Sequence, residues 1–558
     1  MAIGIEFYKE MIEKNCYYVD KTLLIKDLLD DGSKVFLITR PRRFGKTLTL
    51  TTLQTFFEDV RDNNGTKIDT LHYFEGKKIM ETGEEYLSHA GKHPVIRLSL
   101  KSAKQPNFKV AYRCLINEIA DAYRRHDYIL KADVLTEKEK EQYHTLMDWE
   151  GSYEDYTTSI QFLCKCLERY HGTKTVLLID EYDVPLENAW FEGFYEEMIA
   201  FMRSLFESAL KTNDHLEFSV VTGCLRISKE SIFTGLNNLK VVSILDNDFG
   251  EYFGFTPEEV EEMLDFYEIG HCKEAAKKWY DGYLFGDSEV YNPWSIINYV
   301  SDTLSGTAKF PKPYWSNTSS NSIVRELIER ADAQAKKEIE LLLDGGTIEK
   351  PIHENITYGD IYDSQDNLWN FLFFTGYLKR CRERQEGELQ YLTMSIPNSE
   401  IAYIYQNTVL AWFDKRIRKA DMTPLKKALE NGNCETIAEF LTAQLMDTIS
   451  FFDYKESYYH GFLTGILKCF GQYVVLSNRE AGTGRSDIIV EDYGTGDRGI
   501  IFELKVAKKF SEMERMCDEA LEQIETMEYE HNLREDGYRE ILKYGVCFFK
   551  KRCMVKKV

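Results

Sequence analysis

The sequence predicts a multidomain α/β protein in three parts, and three observations predict it. Within the first 250 residues, five apolar, β-rich runs are separated by helix-sized segments, the pattern of a central parallel sheet. From about residue 251 the periodicity turns mainly helical. After residue 457 the apolar pattern runs helix, three strands, helix, strand. At 558 residues the chain is too long for one core. We therefore expect domains at 1–250, 251–420 and 421–558.

The first run, VFLIT (35–39), is short, apolar and rich in β-formers, which suits a strand buried on both faces. It leads into RPRRFGKT (40–47), and TLTLTTLQTFFEDV then carries Leu50, Leu53, Phe56 and Phe57 at helical spacing. Strand, loop and helix in that order are the setting of a phosphate-binding loop, because backbone amides and a helix N-terminus attract phosphate oxygens. Lys46 is placed to reach the β- and γ-phosphates of ATP, and the Thr47 hydroxyl to coordinate Mg²⁺. Arg40 stands where the general motif has glycine.

Downstream, TVLLIDEYD (175–183) is an apolar strand ending in adjacent acids. Asp180 is expected to hold magnesium through water, and Glu181 to polarise an attacking water. HPVIRLSL (93–100), EFSVVTG (217–223) and VVSIL (241–245) supply further strands of the same sheet. Thr222, at the end of one of them, is a candidate γ-phosphate sensor. Arg226 is a candidate for neutralising developing charge, or equally a surface or ion-paired arginine. Acting across a subunit boundary would require a homo-oligomer; acting within its own chain would not.

Composition narrows the class. Hydrophobic residues make up 43% and charged residues 29%, as in a folded soluble protein. No run of eighteen apolar residues occurs, so no membrane span is expected. MAIGIEFYKEMIEKN has early acids and no long apolar stretch, so a cytoplasmic rather than exported protein is expected. Twelve cysteines lack a framework, and Cys164 and Cys166 read as buried thiols. A net charge of −23 argues against a general nucleic-acid coat. Contact with nucleic acid then falls to local clusters such as Arg40, Arg42, Arg43 and Lys46, or the C-terminal KKRCMVKKV.

YYVDKTLLIKDLL (17–29), RPRRFGKT, LLIDEYDVPL (177–186), TGCLRISKESIFTGLNN (222–238) and YFGFTPEEV (252–260) together resemble the AAA-ATPase-like family. That family pairs such an ATPase with a C-terminal nuclease-type domain and is common in bacteria. Its phosphate loop reads R-P-R-R-F-G-K-[ST], so Arg40 fits the narrower pattern. The resemblance covers roughly the first 300 residues. It implies a P-loop NTPase with a central parallel sheet, and a nucleotide site that includes Arg42, Arg43, Phe44 and Gly45. Whether Arg42 and Arg43 touch nucleotide, lid or nucleic acid stays open at this point.

In the middle, Thr256, Pro257 and Glu259 spell a capping-box start. WYDGYLFGDSEVYNPWSIINYV (279–300) and YWSNTSSNSIVRELI (314–328) interleave aromatics with turn residues. A helical or winged-helix-like region locked onto the ATPase is expected, with base stacking as the other reading. LWNFLFFTGYLKR (368–380) reads as a buried helix and a turn at Gly376.

The last part opens with SYYHGFLTGILKCF (457–470), followed by YVVLSNRE (473–480), SDIIVEDY (486–493) and GIIFELKV (499–506). A helix over SEMERMCDEALEQIETMEYE and the strand YGVCFFK (544–550) complete it. Alternation puts Glu503 and Lys505 on one face of their strand, and a hairpin through GTGDRG brings Asp487 beside them. Two carboxylates there suit Mg²⁺ or Mn²⁺, with Lys505 orienting water and Glu456 a further acid on the metal. An ion pair between Glu503 and Lys505 is the plain alternative. The α-β-β-β-α-β order resembles the PD-(D/E)XK nuclease superfamily, which implies a restriction-endonuclease-like α/β domain. The resemblance also marks Gln523 and Tyr529 as accessory positions.

The sequence thus points to an ATP-hydrolysing protein coupled to a metal-dependent nuclease acting on nucleic acid, DNA before RNA. Defence or mobile-element biology is one setting for such a pairing. The rival is a nucleotide-driven switch whose C-terminal fold docks a partner without cutting.

Overall fold

A computed structural model describes residues 3–62, 66–211, 213–226, 232–233, 237–307, 310–317, 333–343, 345–354, 364–405, 421–446, 456–471, 473–481, 484–492 and 498–558. The chain divides into two compact units, Met1–Thr318 with Glu349–Tyr403, and Ser319–Ile348 with Ile404–Val558.

In the first unit, β1 (Val35–Thr39), α1 (Lys46–Phe57), β2 (Val95–Ser99), β3 (Thr175–Asp180), β4 (Leu216–Gly223) and β5 (Leu239–Val242) form the framework. The strands make one sheet in the order β2-β3-β4-β1-β5, and every neighbouring pair is parallel. All five residues of β1 and all six of β3 are buried, as continuous apolar runs demand of a sheet covered on both faces. This is a P-loop NTPase fold. The order matters for the site, because β4 lies between the strand that feeds the phosphate loop and the strand that ends in Asp180.

One strand ends sooner than its apolar run suggests. VVSIL is strand only to Val242, because the Asp246 carboxylate accepts from the Ser243 amide at 2.7 Å and its hydroxyl at 2.9 Å. That local turn competes with the sheet ladder and wins.

Past the sheet, α2 (Pro257–Phe266) begins with the expected capping box at Thr256. A two-stranded hairpin, β6 (Tyr283–Phe285) with β7 (Ser288–Val290), precedes α3 (Pro293–Leu304). Helix α4 (Gln365–Phe374) ends in a turn at Gly376, whose φ of 87° is left-handed. The antiparallel hairpin β8 (Lys379–Glu386) and β9 (Leu389–Ser395) follows, a wing that helical periodicity alone does not announce. Most of the 314–328 stretch lies outside the described residues.

The second unit holds α5 (Thr423–Asn431), α6 (Cys434–Met446) and α7 (Glu456–Lys468). Five strands follow, β10 (Tyr473–Ala481), β11 (Gly484–Asp492), β12 (Arg498–Val506), β13 (Glu540–Phe549) and β14 (Arg552–Lys557), with α8 (Met513–Thr526) between β12 and β13. The sheet order is β10-β11-β12-β13-β14, antiparallel except for the β12–β13 pair. Phe502 and Leu504 join Tyr459, Leu463 and Leu467 of α7 and Leu425 and Leu441 of the preceding helices in one core. Ile489 and Ile501 pack instead with Leu521 and Ile524 of α8. That parity sends Glu503 and Lys505 to the α8 face.

The basic tail KKRCMVKKV is largely the edge strand β14. Lys556 pairs with Asp518 at 2.7 Å, and the Arg552 guanidinium lies 5.1 Å from the Phe510 ring centre. These two cations have structural partners.

Candidate active sites

The loop between β1 and α1 turns tightly. Arg43 has φ 72°, and Gly45, at φ 81°, caps the helix. Lys46 is 7% exposed and donates to the carbonyls of Arg40 and Pro41, each at 2.9 Å. The lysine therefore lies folded across its own loop. The Thr47 hydroxyl donates to Asp180 Oδ2 at 2.6 Å, and the Thr222 hydroxyl donates to Asp180 Oδ1 at 2.7 Å. Strand order explains this: Thr222 ends β4, and α1 follows β1, the next strand over.

Glu181 sits at φ 54° just beyond β3. Burial raises its pKa above the ordinary carboxylate range, and the neighbouring Asp180 charge adds to the rise while Lys46 opposes it. A carboxylate poised this way suits general-base work.

Arg40 is fully buried. Its guanidinium donates to the carbonyls of Thr39 (2.9 Å), Val242 (3.1 Å), Ser243 (2.8 Å) and Asp248 (3.2 Å). It also lies 5.3 and 5.2 Å from the ring centres of Phe253 and Phe285. Burial lowers its pKa, but four carbonyls and two ring faces favour the cation. Arg40 is thus a strut from the loop to the end of β5, and it takes the place of glycine because the turn is braced from behind.

The other loop residues also face protein. Arg42 pairs with the buried Glu187, and Arg43 stacks on Trp294 at 4.3 Å from the ring centre. Phe44, fully buried, meets Tyr283 and Phe285 edge-on or tilted, at 5.0 Å each. The aromatics of 279–300 therefore lock onto the phosphate loop. Arg226 lies 3.3 Å from Glu354, away from the Thr47–Asp180–Thr222 group in its bonding. Residues 227–231 lie outside the described residues.

In the second unit, Asp487 stands where the β11–β12 ladder stops. The last pairs there are Ile488 with Phe502 and Ile489 with Ile501, and the Leu504 amide turns to Asp487 Oδ2 at 2.8 Å. Glu503 is 2% exposed. Lys505 Nζ donates to Glu503 Oε1 at 3.3 Å and to Gln523 Oε1 at 2.7 Å, and Gln523 Nε2 donates to the Tyr529 hydroxyl at 3.3 Å. The ion pair and the acid cluster are one arrangement. The hairpin turn at 493–497 and the Glu456 side chain lie outside the described residues.

Glu503 Oε2 is buried and has no hydrogen-bond partner among the described residues. Burial, then the Asp487 charge, pushes the Glu503 pKa up to about 7. An orphaned carboxylate oxygen beside a second carboxylate is the chemistry a hard divalent cation resolves. Asp487 and Glu503 fit such an ion.

Several partners escape a reading by motif. Asp183, Glu187 and Trp294 brace the first site, Glu354 holds Arg226 away from it, and His460 Nε2 meets the Asp487 carbonyl at 2.8 Å. The second aspartate of DEYD was the one legible signal among them.

A phosphate loop facing an acid pair across one intervening strand defines a P-loop ATPase-type domain, and acids with a lysine on a mixed five-stranded sheet define a nuclease-type domain. Residues 2–233 match the family described as predicted AAA-ATPase, and residues 454–558 match the PD-(D/E)XK nuclease superfamily. The chain joins one domain of each kind. A curated relative, the uncharacterized protein in the vnfD 5′ region of Azotobacter chroococcum mcd 1, is 27% identical over 335 residues. That match covers 59% of this chain and 56% of the relative, so the chain spans about half the relative's length. Among solved structures, Drosophila ORC bound to AT-rich DNA and Cdc6 aligns at 10% identity over 72% of this chain and 93% of that one. Its TM-score of 0.18 is too low to carry an argument. No helix among the described residues is long and apolar enough to cross a membrane.

Proposed function

We propose that this protein binds and hydrolyses ATP and that its C-terminal domain is a metal-dependent phosphodiesterase acting on nucleic acid, with DNA the first substrate to test and RNA the second. The observation that carries the reading is the presence of two carboxylate-centred sites in one chain, each built from residues distant in sequence. In the first, Lys46 and the loop amides, including those of Arg42, Arg43, Phe44 and Gly45, would hold the phosphates. Thr47 and Asp180 would hold Mg²⁺, Thr222 would sense the γ-phosphate, Glu181 would polarise water and Arg226 would offset charge. In the second, Asp487 and Glu503, with Glu456, would hold Mg²⁺ or Mn²⁺, which when bound supplies Lewis-acid chemistry at a phosphodiester. Lys505, steadied by Gln523, would orient the attacking water.

The domain division 1–250, 251–420 and 421–558 belongs to the same proposal. So does a cytoplasmic setting, which free buried thiols such as Cys164 and Cys166 support. Arg226 pairs with Glu354 of its own chain, and action within that chain or across a homo-oligomer would each require that pair to open.

The test is a panel of single- and double-stranded DNA and RNA with Mg²⁺ or Mn²⁺ and ATP. Cleavage that requires metal and disappears in Asp487→Ala and Lys505→Ala supports the proposal. ATP turnover lost in Lys46→Ala, with no cleavage on any substrate, moves the C-terminal domain to a docking role.

A further inference from the structure

The turn after β3 does more than carry Glu181. Asp183 is 1% exposed, and its Oδ2 accepts from the amides of Cys224 at 2.7 Å and Leu225 at 3.1 Å. Beside it, the Tyr182 hydroxyl donates to the Leu225 carbonyl at 2.6 Å, and the Tyr182 amide donates to the Thr222 carbonyl at 3.1 Å. From the opposite side, the Arg40 amide donates to the Gly223 carbonyl at 3.0 Å. The turn 222–225 is therefore gripped between the acid-pair turn and the phosphate loop.

The packing leaves it no slack. A Cβ at Gly223 would lie 2.5 Å from the Tyr182 ring and 2.9 Å from Asp183 Oδ1. What the turn carries is chemically pointed. Thr222 donates to Asp180, Cys224 Sγ lies 3.8 Å from Lys46 Nζ, and the chain leads on to Arg226. Asp183 Oδ1 has no hydrogen-bond partner among the described residues, so Oδ2 does the holding.

We propose that Asp183 is a positioning residue for ATP hydrolysis. It fixes the turn that sets Thr222 against Asp180 and aims the segment leading to Arg226. This inference rests on the ATPase reading above. ATP binding, which the loop amides and Lys46 supply, does not depend on Asp183. Hydrolysis does, because a small displacement of groups around the γ-phosphate is costly in rate.

The experiment uses the full chain with Mg²⁺. The dissociation constant for a fluorescent ATP analogue and steady-state ATP turnover are measured for the wild type, Asp183→Ala, Asp183→Asn and Tyr182→Phe. Asp183→Ala is expected to bind within about threefold of wild type while kcat falls by about 10²-fold. Asp183→Asn, whose amide oxygen can accept the same two N–H groups, should recover most of that loss. Tyr182→Phe, which loosens the same turn without removing a buried charge, should lower kcat and spare binding. It keeps the test decisive if Asp183→Ala does not fold. Wild-type kcat in Asp183→Ala or in Tyr182→Phe overturns the inference. So does binding that falls in step with turnover, or an asparagine variant as impaired as alanine. A wild type that binds no ATP defeats the ATPase reading instead, and is seen in the first measurement.

Discussion

The guanidinium of Arg40 donates to the carbonyl of Ser243 at 2.8 Å, tying the start of the phosphate loop to the chain just past β5. The same group serves the carbonyls of Val242 and Asp248. Arg40→Gly would bring the loop closer to the general motif and yet harm this protein. It leaves buried carbonyls without donors and opens a cavity, so the expected loss is about 2–4 kcal/mol in denaturant unfolding. A variant as stable as wild type would show that the strut is dispensable.

Lys46 and Glu181 should separate binding from chemistry. Lys46→Ala removes the loop cation and is expected to weaken ATP binding at least about tenfold. Glu181→Gln should leave binding intact and lower turnover by about 10²–10⁴-fold. Because the Glu181 pKa is raised, its base form develops later as pH rises. The acid limb of the turnover profile should therefore lie above the ordinary carboxylate range and vanish in Glu181→Gln.

Arg226 and Glu354 make a partly exposed ion pair, so its stability contribution is small, and its interest is in release. Glu354→Gln frees the guanidinium. If Arg226 serves its own chain, basal ATP turnover should rise by about threefold with little change in melting temperature. Unchanged turnover in a monomer would argue against an in-chain role for Arg226.

Glu503 links the nuclease-type site to pH. Its folded pKa of about 7 lies above its ordinary 4.5, so the metal-free fold binds the extra proton. The stability contributed is fullest below the ordinary value and is lost as pH rises through about 7. Glu503→Gln removes that loss, and at about pH 8 the metal-free protein should gain roughly 1–3 kcal/mol. The same substitution should abolish stabilisation by Mn²⁺ in thermal unfolding. A variant that gains no stability without metal and keeps the metal effect would exclude Glu503 from the site.

Much of this was legible from residues alone where periodicity and chemistry coincide. VFLIT, TVLLID and GIIFELKV read as buried strands, as they are, and alternation alone placed Glu503 and Lys505 together. Asp180 and Thr222 were singled out by type and by position at strand ends, and Thr47 by its place after the loop lysine. Partners set by long-range packing carry no local mark. Glu187 sits in an ordinary helix, Trp294 among other aromatics, and His460 in an amphipathic face. Nothing beside them in sequence says what they touch. The basic tail is a further case, since nothing in its charge pattern says that Lys556 meets Glu514 and Asp518 of α8.

The sequence by itself marked which residues are candidates for phosphate or metal, because side-chain chemistry and strand or helix period are local properties. Tertiary structure decided the use of the arginines in RPRRFGKT: Arg40 became a buried strut, Arg42 the partner of Glu187 and Arg43 the partner of Trp294. A guanidinium can pair with phosphate, carboxylate, carbonyl or a ring face. Which of these it meets depends on what the fold brings within reach.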